Sequence, residues 1–268
     1  ASVSSNELEY QELTSKFPEL TEPQTESTPV KHDVKHRIIT TGNPVFVRPR
    51  RLAPQAHEAV KEQFEKMLQD GIIRPSSSPW ASPLHAVPKK GGEWRPVGDY
   101  RSLNTQTQRD TYPLPHLQDF SSNLCGKSIF SKIYLKDAYL QIPVAEEDIP
   151  KTAVTTPFGA FEYLRMPFGL SCSSQTFQRY LDTILRNLAV TKAGEQPRKI
   201  TIFNYIDDIL ISSNSKEEHL EDLHAVFSRL SENGLRINLM KCEFGKHTLS
   251  FFGHNITVTG ILPLSDKV

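Results

Sequence analysis

Two adjacent aspartates, Asp207 and Asp208, lie between short apolar runs and are the first candidates for chemistry. The runs Thr201-Ile202-Phe203 and Ile209-Leu210-Ile211 predict a β-hairpin that carries both carboxylates at its turn. An unpaired carboxylate among apolar residues is costly. Magnesium prefers oxygen ligands and usually takes one or two carboxylates together with substrate phosphates. The hairpin therefore predicts a site for phosphoryl-type transfer with magnesium, or manganese in its place.

A basic segment upstream of the aspartates is the second candidate. Residues 31–110 contain fourteen Lys or Arg against eight Asp or Glu, although the net charge of the 268-residue chain is zero. Strand-like residues 84–87 and 95–100 flank Lys89-Lys90-Gly91-Gly92-Glu93, where two adjacent glycines favour a turn. The segment predicts a hairpin with a basic tip. Its charges alone are as typical of a solvated surface as of a phosphate-binding site.

The elements that must position these residues alternate between helices and antiparallel hairpins, which predicts an α+β fold. Pro54 is expected to open the first long helix and Gly71 to end it. A capping box of Ser215 and Glu218 predicts another helix start, with Gly234 at its end. Further strands are expected at 128–135, 152–156, 237–239 and 249–253, and a further helix at 174–188.

The bulk composition excludes several classes of protein. With 37% hydrophobic and 23% charged residues, the chain is typical of a globular protein. No apolar run is long enough to span a membrane and no signal peptide is evident, so we expect a cytoplasmic protein, with virus-like particles included, or a nuclear one. Three widely spaced cysteines predict buried free thiols. Residues 1–30 carry six Glu against one Lys, which predicts an acidic linker or extension over 1–32.

The box Tyr205-Ile206-Asp207-Asp208 resembles the Tyr-x-Asp-Asp box of reverse transcriptases. The surrounding sequence is similar to the polymerase of gypsy-type long-terminal-repeat retrotransposons from about Phe17 to Val268. Three long motifs carry the resemblance in the family's order: 71–83 (GIIRPSSSPWASP), 94–104 (WRPVGDYRSLN) and 158–170 (FGAFEYLRMPFGL). The resemblance implies an RNA-directed DNA polymerase that uses deoxynucleoside triphosphates and an RNA or DNA primer-template.

The resemblance also implies a role for each matching residue. Asp207 and Asp208 are expected to be catalytic and to hold the metal. The nucleotide is expected to contact Lys89, Lys90, Arg95, Tyr139, Gly169 and Gln175, with Tyr139 under the sugar. Primer or template is expected to contact Tyr205, Phe177, Gln178, Phe252, Gly253 and His254, the last three as a primer-gripping turn.

The family pattern breaks at Tyr134, where relatives carry the third metal-holding aspartate. Tyrosine is no substitute, because its phenol has an ordinary pKa near 10 and adds bulk instead of negative charge. Asp137 lies three residues on, matches a different family position and is expected to point elsewhere. Two smaller departures are the long polar stretch 191–199 and Ser171-Cys172-Ser173-Ser174. The resemblance implies nucleotidyl transfer by two-metal catalysis. Because Tyr134 replaces a metal ligand, we expect this copy to be impaired in that reaction.

The expected architecture is a right-hand polymerase with fingers and palm but no thumb. Fingers are expected at 33–110 and 141–172, palm at 111–140 and 173–260, and 261–268 would lead toward a missing thumb. The start at Ala1 predicts a piece of a longer polyprotein, with ribonuclease H and integrase segments as further candidates. The alternative is a non-catalytic module, derived from a reverse transcriptase, that binds nucleic acid or protein.

Overall fold

A computed structural model describes residues 5–22, 30–88 and 94–263. The helices are α1 (Ser5–Ser15), α2 (Pro54–Gln69), α3 (Arg101–Gln106), α4 (Ser173–Leu185) and α5 (Lys216–Glu232). The strands are β1 (Ile73–Pro75), β2 (Ser82–Pro88), β3 (Trp94–Gly98), β4 (Ile129–Tyr134), β5 (Val154–Thr156), β6 (Gly159–Tyr163), β7 (Ala189–Val190), β8 (Arg198–Lys199), β9 (Thr201–Tyr205), β10 (Asp208–Ser213), β11 (Glu243–Lys246), β12 (Thr248–Phe251), β13 (His254–Thr257) and β14 (Gly260–Pro263). Short 3₁₀ helices occupy Pro18–Leu20, Leu117–Leu124, Ala138–Gln141, Glu146–Thr152 and Leu239–Lys241.

The first sheet has five strands in the order β1-β6-β5-β2-β3, and α2 packs on it. Val60 and Phe64, one turn apart on α2, are fully buried in this core. Pro54 opens the helix and Gly71, with φ +64°, follows its end, as the sequence predicts. β2 and β3 form the predicted hairpin, but its tip, 89–93, lies outside the described residues.

The second sheet has four antiparallel strands in the order β11-β4-β10-β9. Ile133 of β4 and Ile209 and Ile211 of β10 are buried in a core formed with α4 and α5. Phe130 and Leu210, on the same two strands, are buried in a separate core. Ser215 caps α5 by accepting a hydrogen bond from the Glu218 N–H. Strands predicted from apolar runs therefore lie side by side at the centre of the molecule, and the Asp207-Asp208 turn is at one end of them.

The third sheet, β12-β13-β14, packs its apolar face against the second sheet. Phe251 of β12 contacts Phe203 of β9 with ring centroids 5.9 Å apart. This contact brings the turn between β12 and β13 toward the end of β9 that carries the aspartates.

Three expectations about the elements are wrong. Residues 5–22 are not a linker, because α1 and the following 3₁₀ turn bury Tyr10, Leu13 and Leu20 in the core of the second sheet. Residues 237–239 make one bridge at Ile237 and then a 3₁₀ turn instead of a strand. The cysteines are free, but Cys125 is exposed.

The bounds of fingers and palm remain a prediction. Part of the predicted second fingers segment, including Ile142, Val144 and Met166, packs in the core of the second sheet. The polar stretch 191–199 is the connection of a short hairpin, β7 with β8, held to α5 by an Arg198–Asp222 ion pair of 2.8 Å. Within the described ranges, no helix is both long enough and apolar enough to cross a membrane.

Candidate active site

The Asp207-Asp208 turn is held in an unusual backbone conformation at the end of the β9–β10 hairpin. Asp208 lies opposite Tyr205 in the register, which leaves Ile206 and Asp207 as the two turn residues. Ile206 has φ +53°, a left-handed value that is rare for a β-branched residue. The Asp207 carbonyl oxygen accepts a hydrogen bond of 2.8 Å from the Leu135 N–H. The turn is therefore fixed against the end of β4.

Tyr134, the last residue of β4, lies directly opposite Asp208 in the sheet. The pKa of its phenol is raised well above the ordinary value, first by burial and then by hydrogen bonding to Asp207 and the negative charge of both aspartates. The Lys241 ammonium lies 4.3 Å from the centroid of the Tyr134 ring. A neutral ring, covered by a cation, thus stands where the resemblance implies a third carboxylate.

The Asp208 carboxylate is partly buried and lies beside a second negative charge, that of Asp207. Its pKa is raised from 3.8 to about 6, first by burial and then by the adjacent charge of Asp207, while Lys132 and Lys241 act in the opposite direction. Lys132 is itself paired with Glu243 at 2.7 Å. The two aspartates therefore repel each other in a half-buried site where the nearest cations only partly offset that repulsion.

The residues present fit one divalent ion better than two. Two adjacent carboxylates at a turn suit a magnesium ion whose remaining coordination positions are filled by substrate phosphates. A second ion would lack an anionic protein ligand, because position 134 holds a phenol. Asp137 is exposed, with φ +43°. In the described ranges, no group of three or more His, Cys, Asp or Glu side chains is arranged to hold a metal.

Tyr139 and its neighbours form an aromatic wall beside the turn. The Tyr139 hydroxyl and the Ser174 hydroxyl are 2.7 Å apart, and the Tyr139 ring packs on Phe168 at 5.2 Å and on Phe177 at 6.0 Å. The side-chain oxygen of Gln175 is buried and has no hydrogen-bond partner among the described residues.

Gly169 allows two backbone segments to approach closely. Its φ is +96°, and a Cβ there would lie 3.1 Å from the Gly98 carbonyl oxygen. Its own carbonyl accepts a hydrogen bond of 2.9 Å from Asn104. A glycine is therefore required where the loop before α4 crosses the end of β3.

Arg95, on β3, connects the first sheet with this aromatic wall. Its side chain is exposed, and the guanidinium lies 5.6 Å from the centroid of the Phe168 ring. Arg95, Asp137 and Phe168 line one cavity. Lys89 and Lys90 lie outside the described residues, so their expected contact with the nucleotide stays a prediction.

The predicted primer-gripping turn lies beside the aspartate hairpin. Phe252 and Gly253 have φ +49° and +70°, as in a tight two-residue turn between β12 and β13. The Phe252 ring is 42% exposed and meets the Tyr205 ring edge-on at 4.7 Å. His254 follows the turn, and its Nδ1 lies 2.9 Å from the Phe252 carbonyl oxygen. The structure thus brings these four residues together.

Phe177 and Gln178 are placed differently from the expectation. Both side chains are fully buried on α4, so neither is exposed to a primer or template. Phe177 is part of the core, and Gln178 is hydrogen-bonded to the backbone of the aspartate hairpin. The i, i+4 spacing of Gln178 and Asp182 was the only sequence signal for this arrangement. Helical periodicity would have assigned both Phe177 and Gln178 to the interior.

The family comparison agrees with this geometry. The family model described as "Reverse transcriptase (RNA-dependent DNA polymerase)" matches residues 87–256. The Pol polyprotein of transposon 297 from Drosophila melanogaster is 40% identical over 263 residues, which cover 96% of this chain and 24% of that polyprotein. The Tf2-3 polyprotein of Schizosaccharomyces pombe is 36% identical over 222 residues, covering 83% and 16%. The chain thus spans about a quarter, or less, of the length of these relatives.

Solved structures show the same fold. The foamy viral protease-reverse transcriptase in complex with double-stranded DNA matches with a TM-score of 0.85 and 25% identity, covering 99% of this chain and 54% of that one. The complex of that protein with an RNA/DNA hybrid matches with a TM-score of 0.84 and 24% identity, covering 99% and 35%. The expectation of an α+β polymerase fold with fingers and palm is confirmed.

Proposed function

This chain belongs to the reverse transcriptase (RNA-dependent DNA polymerase) family, and we propose that it is the fingers-and-palm segment of a retrotransposon polyprotein whose nucleotidyl transfer is impaired by Tyr134. The observation that carries the proposal is the register of β4 and β10. Tyr134 stands opposite Asp208, in the position from which a third carboxylate would face the other two.

The chain's own residues supply most of a nucleotide-addition site. Asp207 and Asp208 would hold magnesium, and the ion would stabilise the negative charge that develops on the phosphates. Arg95 would contact the triphosphate from the side of the first sheet, with Lys89 and Lys90 as its predicted companions. Tyr139 would lie under the sugar, and the Phe252-Gly253 turn would support the primer beside Tyr205.

Impairment follows from the chemistry of position 134. A metal ligand worth about 4 kcal/mol in the transition state changes the rate by roughly 10³-fold, since 1.36 kcal/mol corresponds to a factor of ten. The Tyr134 phenol remains protonated at neutral pH, because burial and the neighbouring aspartates raise its pKa. It therefore offers neither the charge nor the space of an aspartate.

The proposal is tested by single-nucleotide extension of a primed RNA template with magnesium. A suitable comparison is the corresponding segment of the transposon 297 polyprotein, cut to the same bounds. We expect the present chain to bind the primer-template but to extend it about 10³-fold more slowly than that segment. Extension at a comparable rate would show that Tyr134 does not impair the site.

The second candidate function is non-catalytic binding of nucleic acid, and the same register favours it. The neutral Tyr134 ring, which contacts Lys241, would prevent catalysis without disturbing the fold. The exposed Arg95 and the Phe252 turn would then remain for binding nucleic acid. Binding without extension in the assay above would support this function.

A further inference from the structure

The side-chain amide of Gln178 makes two hydrogen bonds with the backbone that precedes the two aspartates, one through its oxygen and one through its nitrogen. Its Oε1 accepts a hydrogen bond of 2.9 Å from the Ile206 N–H, and its Nε2 donates one of 2.9 Å to the Asn204 carbonyl oxygen. The side chain is fully buried. One residue of α4 thus brackets Tyr205 from both sides.

Asp182, one helical turn further along α4, fixes which way the Gln178 amide faces. Its Oδ1 accepts from Gln178 Nε2 at 3.0 Å and from Asn204 Nδ2 at 2.9 Å, and its Oδ2 accepts from the Tyr112 hydroxyl. A carboxylate can only accept, so the nitrogen of Gln178 must face Asp182. The oxygen is then left for the Ile206 N–H.

The backbone that Gln178 holds is strained. A left-handed β-branched residue persists only where its surroundings stabilise it. Without Gln178, the Ile206 N–H would lose its acceptor inside the protein, and a partly buried donor without a partner is unfavourable.

We propose that Gln178 is a positioning residue for the Asp207-Asp208 turn, and that Asp182 and Tyr112 orient it. By holding Ile206 in the left-handed conformation, Gln178 keeps the two aspartates opposite position 134 and their turn against Leu135. The inference rests on the proposed role of the two aspartates. It assigns Gln178 a structural link to the site in place of the expected contact with template.

The test uses Gln178→Met, which keeps the length of the side chain and removes its amide. Gln141→Met is the matched control: Gln141 is also buried, accepts from the Arg236 N–H at 2.7 Å and donates to the Lys136 carbonyl, but it does not contact the hairpin. The readout is the hydrogen-exchange protection factor of the Ile206 amide, measured by NMR. We expect Gln178→Met to reduce it by about tenfold or more and Gln141→Met to leave it unchanged.

A second variant, Gln178→Glu, makes the proposed contact with the Ile206 N–H dependent on pH. Protonated, the introduced carboxyl can donate to Asp182 and accept from Ile206, but ionised it is repelled by Asp182. The Ile206 protection factor should therefore fall as pH rises in this variant alone. The same measurement decides the question if Gln178→Met does not fold.

An unchanged Ile206 protection factor in Gln178→Met would overturn the proposal, and so would an equal loss in Gln141→Met or a pH-independent factor in Gln178→Glu. Hydrogen exchange requires no DNA synthesis. The outcome is therefore independent of whether the chain is an active polymerase.

Discussion

Tyr134 contacts groups that come from two other parts of the chain, the aspartate hairpin and residues 241–242. Tyr134 is paired with Asp208 across the sheet, its backbone N–H lies 3.4 Å from the Cys242 sulfur, and its ring lies under Lys241. The pairing with Asp208 follows from two local strand patterns, so the sequence could predict it. The contact with Lys241 depends on the 3₁₀ turn Leu239–Lys241, and the sequence predicted only a strand at 237–239, so it could not be predicted.

His219 is a second residue whose surroundings only the fold reveals. Its Nε2 lies 2.6 Å from the Ser131 hydroxyl and its Nδ1 lies 2.8 Å from the Ser213 hydroxyl, which in turn donates to Asp222. No Ser-His-Asp arrangement is evident in the sequence, because Ser131 is 88 positions away. All four residues are buried, so the cluster joins β4, β10 and α5 from within.

His219 predicts a pH dependence of stability. Burial lowers its pKa from 6.5 to about 4, so between these values the unfolded chain binds a proton that the folded chain does not. The contribution to stability is complete above pH 6.5 and is lost as pH falls toward 4. Between pH 7 and pH 5 the loss is about 2 kcal/mol.

Urea unfolding of the wild type and of His219→Gln at pH 7 and pH 5 measures this loss. The variant should lose less stability over the range by about 2 kcal/mol. His36, whose pKa is also lowered to about 4, is present in both proteins and cancels. An identical pH dependence would show that His219 is not held neutral by the fold.

At the scale of elements, helices and hairpins with local signals were predictable, and elements held by tertiary contacts were not. Pro54 and Ser215 each open a helix through a signal within one turn of it. Helix α1 has few apolar residues in an acidic, polar segment, and its burial depends on contacts with α5 and β11. Composition therefore misidentified it as a linker.

The packing of α1 predicts a large effect at Gly245. This residue of β11 has φ +61°, and an added Cβ would overlap the ring of Tyr10, which is buried and stacked on Phe244. Gly245→Ala should therefore cost about 2 kcal/mol more than the left-handed conformation alone requires. The free energy of unfolding, from urea titrations, is the measurement.

Gly194→Ala is the matched control, because Gly194 has φ +80° and an added Cβ would meet nothing within 4 Å. Combining Gly245→Ala with Tyr10→Ala should remove most of the excess cost, since the overlapping ring is gone. Equal costs for the two single glycine variants would mean that α1 does not pack on β11.

At the scale of the whole molecule, one cavity is lined by Arg95 of the first sheet, by Asp137, which follows β4, and by Phe168, in the loop before α4. The third sheet reaches the aspartate hairpin through Phe252, whose ring contacts the Tyr205 ring. Two of the three long family motifs, 94–104 and 158–170, contribute residues to this cavity, so the sequence could predict that part of the arrangement. The bracing of the turn by Gln178 was not predictable, since the i, i+4 spacing of Gln178 and Asp182 does not show which backbone groups the amide contacts.

A magnesium titration of thermal stability tests the central claim, that Tyr134 is the defect in an otherwise complete site. The proteins are the present chain, Tyr134→Asp and the neutral control Tyr134→Asn. Three carboxylates repel one another, so Tyr134→Asp should be the least stable without metal. It should gain about 1.4 kcal/mol at a magnesium concentration ten times its Kd, a shift in Tm of about 3 °C. The present chain and Tyr134→Asn should gain clearly less. Equal shifts for all three proteins would contradict the account.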